Sequence, residues 1–224
     1  MAKQAGIDVI PLCVEGKTRL KVMATAKLPT KYANFKIVAF CNDFDGKEHI
    51  AVVKGIVAGK QNVPTRLHSE CLTGDVLGSM RCECGQQLEG ALEFIANKPC
   101  GILLYLKQEG RGVGLSNKIK AYNLQDQGLD TEEANEALGL PGDARDYEVA
   151  ALMLRALKVK SVILLTNNPN KVRGLLAHGV KITKKIPLEV KANKYNAGYL
   201  RTKKEKFGHT LRGKWLKTWQ RNTK

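Results

Sequence analysis

No run of about 18 consecutive apolar residues occurs in this sequence, so no membrane-spanning helix is expected. The N-terminus, MAKQAGIDVIPLCVEGKTRL, lacks the apolar core and cleavage site of a secretory signal. A cytoplasmic protein is therefore expected, where disulfides are rare and a cysteine cluster reads as metal or catalysis. Acidic residues are scarce: 21 Asp and Glu stand against 37 Lys and Arg, giving a formal net charge of +16. That balance suits an anionic partner such as nucleotide, nucleic acid or an acidic membrane surface. Half of the excess lies in residues 201–224, which hold nine basic residues and one acid, Glu205. Both tryptophans are there, and Leu211, Trp215 and Trp219 fall four apart. Such a helix could lie on a membrane or contact nucleic acid. Packing of its stripe on its own domain or on a second subunit is the favoured reading. Internal repeats, low-complexity segments and linkers are absent, and one mixed α/β domain is expected from about 20 to 200.

Six cysteines are present, and three of them, Cys71, Cys82 and Cys84, fall in RLHSECLTGDVLGSMRCECGQQ (66–87) with His68, Glu70 and Asp75 among them. Three thiolates without an obvious fourth protein ligand suggest zinc with one open position. Structural zinc sites close their tetrahedron with four Cys or His, whereas catalytic ones keep a place for water. Zinc brings the pKa of bound water to about 7. His68 as a fourth ligand would close the site instead. Buried reduced thiols are a third reading, but Arg81, Glu83 and Gly85 make this a polar turn.

FKIVAF (35–40) and HIAVVKGIV (49–57) read as a hairpin, with turn chemistry at Asn42, Asp43, Asp45 and Gly46. Residues 1–25 read as an arm or peripheral strand. VPTRLHS (63–69) is a further strand that delivers the cysteines. Leu88, Ala91, Leu92 and Ile95 mark a helix over 86–97. GILLYL (101–106) reads as a strand buried on both faces. It leads into KQEGRGVGLSNK (107–118), a strand–turn–helix of the kind that brings backbone N–H groups to phosphate, although the glycine spacing is neither a Rossmann nor a Walker fingerprint. In it Arg111 offers a fork for phosphate, and Glu109 a carboxylate for a base edge or a water. A helix over 115–127 carries Tyr122, and Asp130 or Thr131 caps the next one. The loop 139–148 carries Asp143, Arg145 and Asp146, with Asp146 capping a helix over 147–157. SVILLT (161–166) is a buried strand, followed by a helix to Ala177 and an edge strand in 180–190. Thr166, Asn167, Asn168 and Lys171 gather at the carboxyl end of 161–166, where α/β sheets collect ligands. These parts together suggest hydrolysis of a phosphorylated substrate.

The stretches RLHSECLTGD, SMRCECGQQLEGAL, KQEGRGVGLSNKIKAYNLQDQGLDTEEAN, GDARDYE and LLTNNPNKV resemble GTP cyclohydrolase II, the entry enzyme of riboflavin synthesis. The likeness runs in order from AKLPTKY (26–32) to KEKFGH (204–209). It implies a single-domain α/β (mixed α+β) fold with a mixed β-sheet flanked by helices and a zinc-bearing active site. It also implies dependence on Zn²⁺ and Mg²⁺, with GTP as substrate and formate, diphosphate and 2,5-diamino-6-ribosylamino-4(3H)-pyrimidinone 5′-phosphate as products. The zinc ligands fall on Cys71, Cys82 and Cys84. The GTP-binding positions fall on Arg66, Leu67, His68, Ser69, Glu70, Gln87, Glu109, Gly110, Arg111, Thr131, Thr166 and Lys171. The catalytic positions fall on Tyr122, Asp143 and Arg145, the Arg acting as a nucleophile on the α-phosphate or as a phosphate clamp. A homodimer is implied, and a monofunctional chain is expected, with an arm (1–25), a catalytic domain (26–209) and a basic tail (210–224). Two alternatives are a paralogue that stops at the formamidopyrimidine nucleotide, against which Tyr122 argues, and a basic RNA-binding protein with structural zinc.

Overall fold

The structure is a computed structural model that describes residues 12–14, 17–188, 190, 193–196, 200, 202 and 208. The expected helix through Leu211, Trp215 and Trp219 lies outside them.

Eight strands form one mixed sheet: β1 (Leu12–Val14), β2 (Lys17–Pro29), β3 (Asn34–Asn42), β4 (Glu48–Lys54), β5 (Val63–Ser69), β6 (Gly101–Leu106), β7 (Val162–Leu165) and β8 (Ile182–Ile186). Their order across the sheet is β1-β2-β3-β4-β6-β5-β7-β8. The β1 to β4 half is antiparallel, β4 meets β6 antiparallel, and β5 to β8 are parallel. The expected hairpin is β3–β4. Its turn is held by the Asn42 side chain, whose Oδ1 accepts from the Phe44 and Asp45 N–H groups at 3.1 and 2.8 Å. Of the stretch read as an arm or peripheral strand, the described residues form β1 and the first part of β2. The alternation of β2 is broken by a register shift between Val22 and Ala24, so no clean two-residue period marks it in the sequence.

Alternation along the strands sends side chains to two cores. Val38, Phe40, Ala51, Val53, Leu67, Ile102 and Leu104 face one side, where α5 (Glu148–Ala156) and α6 (Pro169–Ala177) cover them. Phe35, Val52 and Leu103 face the other, against Ala91 and Ile95 of α2 (Cys84–Ala96). GILLYL is buried on both faces as its composition implied. From β5 the chain passes through the short α1 (Leu72–Asp75) and α2 to β6 on one side of β5. From β6 it passes through α3 (Leu115–Asp126), α4 (Thr131–Ala137) and α5 to β7 on the other side. The two connections leave β5 and β6 in opposite directions, which opens a crevice at the carboxyl ends of these parallel strands.

Candidate active site

The crevice is lined from β5 by Arg66, His68 and Ser69, from the cysteine stretch by Cys71, Cys82 and Cys84, by Thr166 just past the end of β7, and from α6 by Lys171. It is a cleft open to solvent on one side.

Cys71 lies two residues past the end of β5, at the N-cap of α1, and Cys84 opens α2. The three sulfurs lie within 4.8 Å of one another, and Cys71 Sγ is 3.6 Å from Cys82 Sγ. Gly74 makes this convergence sterically feasible: a Cβ there would lie 2.7 Å from Cys82 Sγ and 3.2 Å from Cys71 Sγ. Hydrogen bonds from the Cys82 and Cys84 thiols, with help from the Lys118 ammonium, hold Cys71 well below the ordinary thiol range. The Cys71 thiolate in turn pushes the Cys82 thiol up to about 11. Converging soft donors, one of them readily ionised, can hold a thiophilic metal ion, which itself deprotonates a coordinating thiol. His68 does not join them. Its Nε2 lies 2.9 and 3.0 Å from the two Asp75 carboxylate oxygens, and it stacks on Tyr105 at 5.4 Å. Asp75 Oδ2 also accepts from Tyr105 Oη at 2.9 Å and from the Cys71 N–H at 3.0 Å, so it fixes both the imidazole and the start of the cysteine loop. Burial holds His68 below its ordinary pKa, although Asp75 opposes this.

The Gly-rich turn is built differently from a phosphate cradle. Its N–H groups at Gly112, Val113 and Gly114 donate to Gln108, Gly110 and Glu109 carbonyls, and the Gly110 N–H donates to Glu109 Oε1 at 3.0 Å. These donors close the turn itself. Gly112, at φ +93, has the Ala144 carbonyl carbon 3.1 Å from where a Cβ would stand, so the turn packs directly on the 139–147 loop. The Ala144 N–H donates to the Arg111 carbonyl at 3.0 Å and completes that seam. Glu109 accepts from the Leu72 N–H at 2.6 Å and from Lys118 Nζ at 2.8 Å. Most of its acceptor capacity therefore joins the turn to α1 and α3. A free approach to a base edge is left only at Oε2, which has one donor here against two lone pairs.

Arg145 is held in a fork by Asp143: Nε donates to Oδ1 at 2.7 Å and NH2 to Oδ2 at 2.6 Å. Burial alone would raise the Asp143 pKa, but the Arg145 guanidinium outweighs it and keeps the carboxyl ionised. Tyr122 Oη lies 3.2 Å from Thr73 Oγ1, and burial raises its pKa. Its ring takes the Arg81 guanidinium at 5.0 Å. Arg66, 5% exposed, donates NH1 to the Leu165 carbonyl at 2.9 Å and NH2 to Gln87 Oε1 at 2.7 Å. Burial pushes its guanidinium down to about 10. Lys171 reaches across from α6 to the Leu67 carbonyl at 2.7 Å.

The profile of the family described as GTP cyclohydrolase II matches residues 21–187. The chain belongs to the GTP cyclohydrolase II family. It is 51% identical over 190 residues to the GTP cyclohydrolase-2 of Picrophilus torridus, covering 85% of this chain and 98% of that one. The GTP cyclohydrolase-2 of a Shewanella species is 48% identical over 192 residues, 86% of this chain and 95% of that one. The riboflavin biosynthesis protein RibBA of Endomicrobium trichonymphae is 54% identical over 185 residues, 83% of this chain but 46% of that protein. The chain thus spans about half the length of that larger relative.

In this family member the structure brings the sequence-expected residues to one cleft, including Glu70, Gln87, Glu109, Gly110, Arg111, Tyr122, Thr131 and Arg145. Asp143 sits behind Arg145. Leu67 is different: the alternation of β5 sends its side chain into the core, 0% exposed, and leaves only its carbonyl to Lys171. Sequence reasoning gave no role to Lys118, Thr73, Gln108 or Asn135. Lys118 had a signal, since it lies four residues before Tyr122 and so shares its helix face.

Proposed function

We propose that this chain hydrolyses GTP, opening the imidazole half of guanine and releasing formate and diphosphate to leave 2,5-diamino-6-ribosylamino-4(3H)-pyrimidinone 5′-phosphate. The observation that carries this reading is the meeting of Cys71, Cys82, Cys84, Tyr122 and Arg145 around one cleft in a chain of this family. The products require water at C8 to open the ring, a second water to free formate from the formamide, and a third to cleave between the α- and β-phosphates. Zn²⁺ held by Cys71, Cys82 and Cys84 would supply the Lewis acid that brings a water to a pKa of about 7.

The protein's own groups account for the rest. Arg66 and Lys171 place fixed positive charge at the end of the cleft formed by β5 and β7, where a polyphosphate with its Mg²⁺ finds partners. Tyr122, a phenol that stays protonated at neutral pH, can donate to a nitrogen or oxygen released as the ring opens. Guanidinium is a poor nucleophile because it stays protonated, with a pKa above about 12 in ordinary surroundings. The Asp143 fork aligns it as a clamp on charge that builds at the α-phosphate, and this favours the clamp over the covalent role. The reading has the chain working in the cytoplasm, as a homodimer and with GTP as its small-molecule partner. It is tested by incubating metal-replete protein with GTP and Mg²⁺ and assaying formate, diphosphate and the diaminopyrimidine together. All three in equal amounts are expected. Ring opening without formate would instead favour a paralogue that stops at the formamidopyrimidine, and untouched GTP would sink the proposal.

A further inference from the structure

Lys118 is a cation placed where nothing in the proposed reaction calls for one. It lies on α3 with its side chain 12% exposed. All three ammonium hydrogens find acceptors: Cys71 Sγ at 3.1 Å, Thr73 Oγ1 at 2.9 Å and Glu109 Oε1 at 2.8 Å. Thr73 Oγ1 is also the atom next to Tyr122 Oη, at 3.2 Å. One ammonium therefore touches a cysteine of the cluster, the carboxylate of the Gly-rich turn and the hydroxyl that positions Tyr122. An ion pair that served only to fasten α3 to the turn would need Glu109 alone. The direct contact to sulfur has no such purpose.

We propose that Lys118 is a positioning residue that neutralises the cysteine-held metal site and, through Thr73, sets the Tyr122 hydroxyl against it. The inference rests on the reading that Cys71, Cys82 and Cys84 hold a divalent metal. Three thiolates around a divalent ion carry a surplus negative charge, and Glu109 adds another. Lys118 touches both anions. In a buried setting an uncompensated charge is expensive, and a partner at hydrogen-bond distance offsets it. Groups that hydrogen-bond to metal ligands typically change metal affinity by about 10–100-fold when removed.

The test uses the full chain stripped of metal and titrated with Co²⁺ against a competing chelator, comparing the parent with Lys118→Met and Lys118→Gln. Both variants are expected to bind Co²⁺ about 10–100-fold more weakly, while the thiolate-to-cobalt absorption keeps the intensity of three sulfur ligands. Thr73→Val removes a hydroxyl that itself lies 3.7 Å from Cys71 Sγ; it is expected to weaken Co²⁺ binding less than either lysine variant and to slow formate release from GTP. Should the methionine variant fail to fold, the glutamine variant, which keeps a donor but no charge, decides the matter alone. Affinity in the glutamine variant equal to the parent's would overturn the role assigned to Lys118 while leaving the metal site standing. A parent that takes up no Co²⁺ would instead overturn the metal reading on which the inference rests.

Discussion

At residue 74 only hydrogen fits. A methyl group would stand 2.7 Å from one cysteine sulfur, closer than real contacts allow, and a tight 3.2 Å from another. Gly74→Ala is therefore expected to abolish stoichiometric metal binding while the circular dichroism spectrum stays that of the folded chain. Equal metal content in the variant would show that the sulfurs do not converge as described. Tyr122→Phe removes the hydroxyl next to Thr73 and should slow formate release about 10²-fold, the usual scale for a lost proton donor. Arg145→Ala removes the guanidinium that Asp143 aligns. Diphosphate release should fall about 10²–10³-fold, with ring opening less affected. The three cysteines were legible in the sequence because ligand chemistry restricts residue type. The contact of Lys118 to Cys71 was not, because it spans 47 positions; the shared helix face with Tyr122 was the one local hint, and a helix-borne lysine reads by default as solvated surface.

Among the elements, β5 and β6 fall where the sequence put them, since short runs of buried β-branched and aliphatic residues between turn residues have few alternatives. The cysteine helix α1 escaped notice because four residues are too few to show a period. Of the two caps the sequence offered for α4, Asp130 or Thr131, the structure uses Asp130, which accepts from the Glu132 and Glu133 N–H groups while the Glu133 side chain accepts from the Asp130 N–H. Replacing Asp130 by Ala should cost about 1 kcal/mol in urea unfolding and should displace Thr131 at the cleft.

The β3–β4 hairpin carries a pH dependence of its own. His49 is 0% exposed, its Nδ1 accepts the Lys107 N–H at 3.1 Å, and its Nε2 sits 3.1 Å from Asp45 Oδ2. Burial keeps its folded pKa below the ordinary 6.5, although Asp45 opposes this. The unfolded chain therefore takes up the proton first on acidification. The stability His49 contributes is whole above 6.5 and is lost as the pH falls toward the lowered folded value. Thermal melts at about pH 7.5 and 5.5 should show a fall in Tm that is smaller in His49→Gln. An unchanged pH slope in that variant would place the titrating group elsewhere.

For the molecule as a whole, one mixed α/β domain followed from the alternation of strand and helix patterns and the mixed sheet from the family resemblance, while the crevice depends on the order of the strands across the sheet, which no local pattern records. The large positive charge suits a polyanionic substrate, yet the cleft draws on few of those residues, chiefly Arg66, Arg81, Arg111, Arg145 and Lys171. Metal bound only by the folded state stabilises it by mass action, about 2.7 kcal/mol at a hundredfold excess over Kd, so chelation should lower Tm reversibly. The most direct measurement is formate released from GTP and Mg²⁺ by metal-free protein as zinc is added back. Formate release should rise with added zinc and level off at one equivalent per chain, and Cys82→Ser should stay inactive throughout. Formate produced at the full rate before any zinc is added, or by the serine variant, would contradict the account.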